Sequence, residues 1–103
     1  MNQSQIPVRY ARALFLSGKE KKILDKISND ILILDSFFKN NPSINAWLKS
    51  PVIKAEDKKN LFRKEFEDRI SKITLKFINL VINKKREQYF TDIFRNFLQF
   101  HKT

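Results

Sequence analysis

The feature that most constrains this chain is how little it is punctuated. Its 103 residues include one glycine, Gly18, and three prolines, Pro7, Pro42 and Pro51. Sheets and long loops need residues that reach left-handed or fixed backbone angles. A chain this poor in them folds as helices joined by short breaks. Between the breaks the apolar residues recur at helical spacing and mark six segments.

The first runs from about Pro7 to Ser17, and Gly18 fits the position just past a helix end. The second, about Glu20 to Lys39, carries Ile23, Ile27, Ile31, Leu34 and Phe38 as a single seam, which predicts one buried face. Asn40-Asn41-Pro42 stops it. Asn41 is expected to cap a short third helix, Pro42 to Lys49, with Ile44, Trp47 and Leu48 inward. After Ser50-Pro51, a fourth helix is expected over Ala55 to Glu67, with Glu56 and Asp57 in the first turn, where the dipole favours carboxylates. Leu61, Phe62 and Phe66 form its apolar edge. A fifth covers Ser71 to Asn83. The sixth, Arg86 to Phe100, puts Phe90, Ile93, Phe94, Phe97 and Leu98 on one stripe. With 42% hydrophobic residues and ten phenylalanines the chain can fill a core. The expected fold class is all-α, a single six-helix bundle over residues 1–103, with no repeat or linker.

Two helices have apolar arcs wider than one core face requires. A surface helix seats on a stripe of roughly 100°. In the first helix Val8, Ala11 and Phe15 point one way and Tyr10, Ala13 and Ser17 another, with Leu14 between. Arg9, Arg12 and Leu16 fill the rest. In the fifth, Ile70, Ile73, Leu75, Phe77, Ile78, Leu80, Val81 and Ile82 span about 220° of the wheel. Thr74 interrupts that arc and Lys84 falls within it. The surplus faces either bury each other or lie side by side as a shallow apolar groove of the kind that accepts a partner's amphipathic helix.

Catalytic chemistry is hard to place on this chain. It has one histidine, His101, and no cysteine. No triad, metal pair or carboxylate dyad has a suggestive spacing, and one glycine cannot build a phosphate loop. "EFED" at 65–68 reads as the solvated end of the fourth helix. No enzyme activity, metal, cofactor or small-molecule substrate is expected. No apolar run has the roughly 7–15 residues of a signal peptide or the roughly 20 of a membrane span. The expectation is therefore a soluble chain with no direct membrane insertion.

The formal charge is +10, from 21 basic and 11 acidic residues. The basic residues run from Arg9 to Lys102, mostly with acids nearby, and the one dense cluster is Lys84-Lys85-Arg86. That pattern reads as a lysine-rich solvated surface. The alternative is a basic helical nucleic-acid-binding module using that cluster with Lys54, Lys58, Lys59, Arg63 and Lys64, and strong salt sensitivity would mark it. Pairing of two copies through the surplus apolar faces is a third possibility.

Three stretches, "VRYARALF" at 8–15, "LKSPVIKAEDKKNLF" at 48–62 and "LVINKKRE" at 80–87, resemble landmarks of one family in order and spacing. It is the delta subunit of the bacterial F-type ATP synthase, counterpart of the mitochondrial oligomycin-sensitivity-conferring protein. The resemblance implies the six-helix N-terminal domain of a non-catalytic peripheral-stalk subunit, held on the cytoplasmic side of the cell membrane as part of the complex. It implies that the first and fifth helices grip the N-terminal helical segment of an alpha subunit. By position, Tyr10, Ala13, Leu14 and Ser17 would meet that segment from the first helix, and Lys76, Phe77 and Leu80 from the fifth. The family continues into a C-terminal domain that contacts the stalk's b subunits. The sequence stops at Thr103, so that domain is expected to be absent from a shortened chain. Two departures stand out. Lys54 replaces a common serine cap. Lys85 replaces a common glycine, where a left-handed turn would cost on the order of 1 kcal/mol, so the bend is expected to be built differently.

Overall fold

Apolar stripes on each segment leave the chain no way to bury them except against one another, and a computed structural model shows how they close. It describes residues 5–102; residues 1–4 and 103, the ends of the expected 1–103 domain, lie outside that range. Six α-helices follow in order: α1 (Gln5–Glu20), α2 (Leu24–Asn40), α3 (Pro42–Lys49), α4 (Ala55–Phe66), α5 (Lys72–Asn83) and α6 (Phe90–Lys102), with a 3-10 turn at Glu87–Tyr89 before the last. Among the described residues there is no strand, so the all-α bundle holds. The radius of gyration, 12.9 Å, is that of a compact chain of this length.

The centre is aromatic. Phe38 of α2 meets Phe62 of α4 at 6.0 Å between ring centroids, and Phe90 and Phe94 of α6 at 6.0 and 5.5 Å. Phe62 and Phe90 close the set at 5.4 Å. These tilted and edge-on pairs stabilise beyond their buried area. The seam read on α2 is inward, with Ile27, Ile31, Leu34 and Phe38 buried. Helix α1 lies chiefly on α6, through Phe15 against Phe97 and Phe100, and then on α2.

Several expected helix ends differ, each for a local reason. Gly18 does not end α1. It is buried inside the last turns, where a Cβ would meet Leu24 Cδ1 at 3.1 Å, Ile27 Cδ1 at 3.2 Å and Leu24 Cα at 3.3 Å. Its missing side chain lets α2 start close against α1. The residue that turns the chain is Lys22, at φ 60°. The Ile23 N–H donates to the Gly18 carbonyl and the Lys22 N–H to that of Lys19, a Schellman closure. Asn41 does not cap α3; its amide donates to the Phe37 carbonyl at 2.9 Å and so closes α2 instead. Helix α4 starts at Ala55, and Lys54 at its N-cap position, where the family commonly has serine, gives no side-chain cap. The sixth helix starts at Phe90 rather than Arg86, because the 3-10 turn takes up Glu87–Tyr89.

Two buried polar contacts fix the helices further. Asp30 of α2 is inaccessible to solvent. Its Oδ2 accepts from the Ser71 N–H (3.0 Å), Ser71 Oγ (2.6 Å) and Thr74 Oγ1 (2.8 Å), and its Oδ1 pairs with Lys26 (2.9 Å). Thr74, which interrupted the apolar arc of α5, is thus the point where α5 is tied to α2. Burial by itself raises the Asp30 pKa, but hydrogen bonds from Ser71, Lys26 and Thr74 outweigh it and hold the carboxyl below its ordinary value. Lys58 of α4 is buried as well, paired with Glu87.

Candidate functional site

The wide apolar arcs of α1 and α5 do not bury each other fully. Helix α1 spends its Ala11 side on α6, and α5 packs chiefly on α4. Between them remains a groove of about 510 Å³. Among the described residues its aromatic pair is Tyr10 against Phe77, edge-on at 6.3 Å.

All seven residues assigned to this place from the sequence line the groove: Tyr10, Ala13, Leu14 and Ser17 from α1, and Lys76, Phe77 and Leu80 from α5. They are not equivalent. Leu14 and Phe77 are buried and make the floor, whereas Ala13, Lys76 and Leu80 are exposed along the edges. Leu80 keeps 46% of its surface open at the groove's edge. Ala13 adds almost no bulk to its edge, so an incoming backbone can approach α1 closely. The lining is aliphatic, aromatic, small polar or cationic. An apolar floor edged by residues from two helices is a shape that can seat a helix.

Four lining residues were not read from the sequence: Ile6, Arg9, Ile73 and Arg86. The first three carried a usable signal. Ile6 and Arg9 precede Tyr10 and Ala13 by four residues, and Ile73 precedes Phe77 by four. Arg86 carried none, because its position depends on how the chain leaves α5. That turn corrects the expectation set by Lys85. Although it is not glycine, Lys85 adopts φ 59°. The Arg86 N–H donates to the Val81 carbonyl at 3.0 Å and the Lys85 N–H to that of Ile82 at 2.9 Å. The bend is therefore the Schellman turn that glycine would favour, with the strain accepted. It carries the Arg86 guanidinium to 5.7 Å from the centre of the Tyr10 ring, over one end of the groove.

The row of α4 lysines considered for a nucleic-acid backbone is broken in the structure. Lys58 faces inward to Glu87, and Lys59 lies near Glu56 at 3.8 Å. Arg63 donates to Asn60. Among the described residues no group of histidine, cysteine and carboxylates is placed to hold a metal ion, and no helix is long and apolar enough to cross a membrane.

The model of the ATP synthase delta (OSCP) subunit family matches residues 6–103. The chain belongs to that family. ATP synthase subunit delta of Carboxydothermus hydrogenoformans is 34% identical over 99 residues, which are 96% of this chain and 55% of that protein. The same-named subunit of Alkaliphilus oremlandii is 34% identical over 90 residues, 87% of this chain and 50% of its own. The chloroplastic subunit delta of Ochrosphaera neapolitana is 30% identical over 99 residues, again 96% and 55%. The chain thus spans about half the length of the curated relatives it matches. The stretches that carried the resemblance to the delta family sit on α1, on the end of α3 through α4, and on the end of α5 with its turn. The first and last of them supply most of the groove.

Proposed function

We propose that this chain is a non-catalytic part of the peripheral stalk of a proton-translocating F-type ATP synthase. It serves ATP synthesis and ion transport by binding the N-terminal helical segment of an alpha subunit in the α1–α5 groove, so that the catalytic head is held against rotation. The observation that carries this reading is the groove itself. In a protein of the delta family, the two helices whose apolar arcs exceed what the core uses stand side by side and leave Leu80 open at the edge.

The physics is that of a clamp. Burying an anchor such as Leu80 stabilises a complex by roughly 1.5–3 kcal/mol before ordering costs. Folding a disordered segment into a helix costs a few kcal/mol, so several anchors along the floor act together. Under rotary torque what matters is slow dissociation. Contact with the stalk's b subunits belongs to the part of the longer relatives that this chain does not span. The complex would hold the domain at the cytoplasmic side of the membrane without inserting it.

The test is calorimetry of the 103-residue chain with a synthetic peptide of an alpha subunit's N-terminal segment in moderate salt, with a DNA duplex as control. Saturable binding of the peptide alone is expected. Silence with the peptide and salt-sensitive binding of the duplex would transfer the reading to a nucleic-acid module.

A further inference from the structure

The chain's net positive charge is not spread evenly; it is concentrated on the two segments that supply the groove. Residues 5–19, which make up nearly all of α1, hold Arg9, Arg12 and Lys19 and no acid. Residues 69–86, which contain α5 and its exit turn, hold Arg69, Lys72, Lys76, Lys84, Lys85 and Arg86, again with no acid. These two segments therefore carry nine of the 21 basic residues and none of the 11 acidic ones, while the remaining 12 and 11 nearly cancel. Almost the whole net charge sits on these two segments, of which Arg69 and Lys84-Lys85-Arg86 flank α5 rather than lie within it.

Within those segments part of the charge is turned away. Arg12, Lys19 and Arg69 lean on the rings of Phe100, Phe15 and Phe66. Three of the other six, Lys76, Arg9 and Arg86, line the cleft, and no carboxylate does. Lys72, Lys76, Leu80 and Lys84 follow one another at four-residue spacing and so form one edge of α5, all of them exposed. Among the described residues no carboxylate lies within ion-pairing distance of Lys72, Lys76 or Lys84.

From this we infer that the groove selects an acidic amphipathic helix, with an apolar stripe for the Tyr10–Phe77 floor and glutamates or aspartates beside it for the lysine edge of α5. The inference rests on the groove being a helix site and adds what that helix must carry. Charge complementarity of this kind sets partner choice and association rate more than raw affinity. A nucleic-acid duplex fits less well, because it has phosphates for the lysines and nothing apolar to fill the floor between them.

The test uses the whole 103-residue chain and three designed 18-residue peptides. Each has the same four leucine anchors at alternating three- and four-residue spacing, with glutamate, glutamine or lysine at the flanking positions. At low salt the glutamate peptide is expected to bind on the order of tenfold tighter than the glutamine peptide, from a few exposed charge pairs. That advantage should shrink toward nothing near 1 M salt, where the Debye length is about 3 Å. In the double variant Lys76→Glu, Lys84→Glu, confirmed folded by circular dichroism, the preference should pass to the lysine peptide. Equal binding of the three peptides would overturn the charge selection and leave the groove reading standing. Binding by none of them would remove both. Tight, steeply salt-dependent binding of a DNA duplex, lost in the same double variant, would assign the charge to nucleic acid instead.

Discussion

The aromatic interior around Phe38, Phe62, Phe90 and Phe94 and the groove between α1 and α5 are made of similar residues and end in opposite states. In the interior three helices each bring a phenylalanine stripe, and every ring finds others at 5.4–6.1 Å. In the groove two helices bring wide apolar arcs, yet one aromatic pair, Tyr10–Phe77, spans them. The interior's charged neighbours are matched, Lys58 to Glu87 and Asp30 to Lys26, whereas Lys76 on the groove's edge has no carboxylate within ion-pairing distance among the described residues. Hydrophobic width alone therefore does not mark a core. What separates a core from a docking surface here is whether neighbouring helices supply enough complementary surface to seal it, and whether the charge around it is already balanced.

The harshest way to break that contrast is to open the interior. Phe94→Ala removes a fully buried ring that touches both Phe38 and Phe90. The expected loss is about 3–5 kcal/mol of stability, a large share of the few kcal/mol a domain of this size has. Chemical denaturation should show it directly. Any loss of peptide binding should track the unfolded fraction and reappear when the variant is cooled or stabilised.

Leu80→Asp is the reciprocal experiment. Leu80 is 46% exposed, so the fold should lose less than about 1 kcal/mol, as for other surface changes. Partner-helix binding should fall by about 2–3 kcal/mol, roughly 30- to 150-fold, from the lost anchor and a carboxylate placed at the edge where the partner's apolar stripe would sit. Circular dichroism and calorimetry on the same sample separate the two effects. A variant that melts like Phe94→Ala would make Leu80 part of the core and dissolve the comparison.

Between these extremes lies Asp30, which supports the groove without lining it. By gripping Ser71 and Thr74 it fixes the start of α5 against α2. Asp30→Asn keeps the shape but gives up charge-assisted bonds, and the expected cost is about 1–3 kcal/mol. Its pH signature has a definite sign. The folded carboxyl lies below its ordinary value, so the unfolded chain takes up the proton first. Its contribution is present above the unfolded pKa of about 3.9 and is lost as pH falls through the lower folded value. Melting temperatures between pH 6 and 3 should fall more steeply for the native chain than for Asp30→Asn. Parallel slopes would mean that the network does not favour the charged form.

How much of this was legible in the sequence follows from the distances involved. Every helix was visible because its stripe repeats over three to five residues. The α2 seam and the α6 stripe face inward as read, buried except at Ile23, which precedes α2, and Leu98, both of which are partly buried, and the surplus arcs of α1 and α5 pointed to the groove. The Asp30–Thr74 and Lys58–Glu87 contacts join residues 44 and 29 positions apart, so no local pattern announces them. Lys58 looked like one more surface lysine for that reason. Gly18 misled because glycine commonly ends helices, while here its missing Cβ serves the approach of α2. The charge segregation was legible, as an acid-free stretch from Arg69 to Arg86, but it acquires meaning only when the fold lays that stretch beside α1.

The smallest effect comes from the turn that completes the groove. Lys85 holds a left-handed conformation that costs a side chain about 1 kcal/mol or more relative to glycine. Lys85→Gly should therefore stabilise the fold by about 1 kcal/mol, less the entropy glycine adds to the unfolded chain. Lys85 does not itself line the groove, so stability should rise while the acidic and glutamine peptides bind as before. The same change at Lys22, the matching left-handed residue at the end of α1, relieves the same strain and also lies outside the groove lining, so it should give the same pair of results. A loss of peptide binding at Lys85 alone would show that the exit turn of α5 reaches the occupant of the groove.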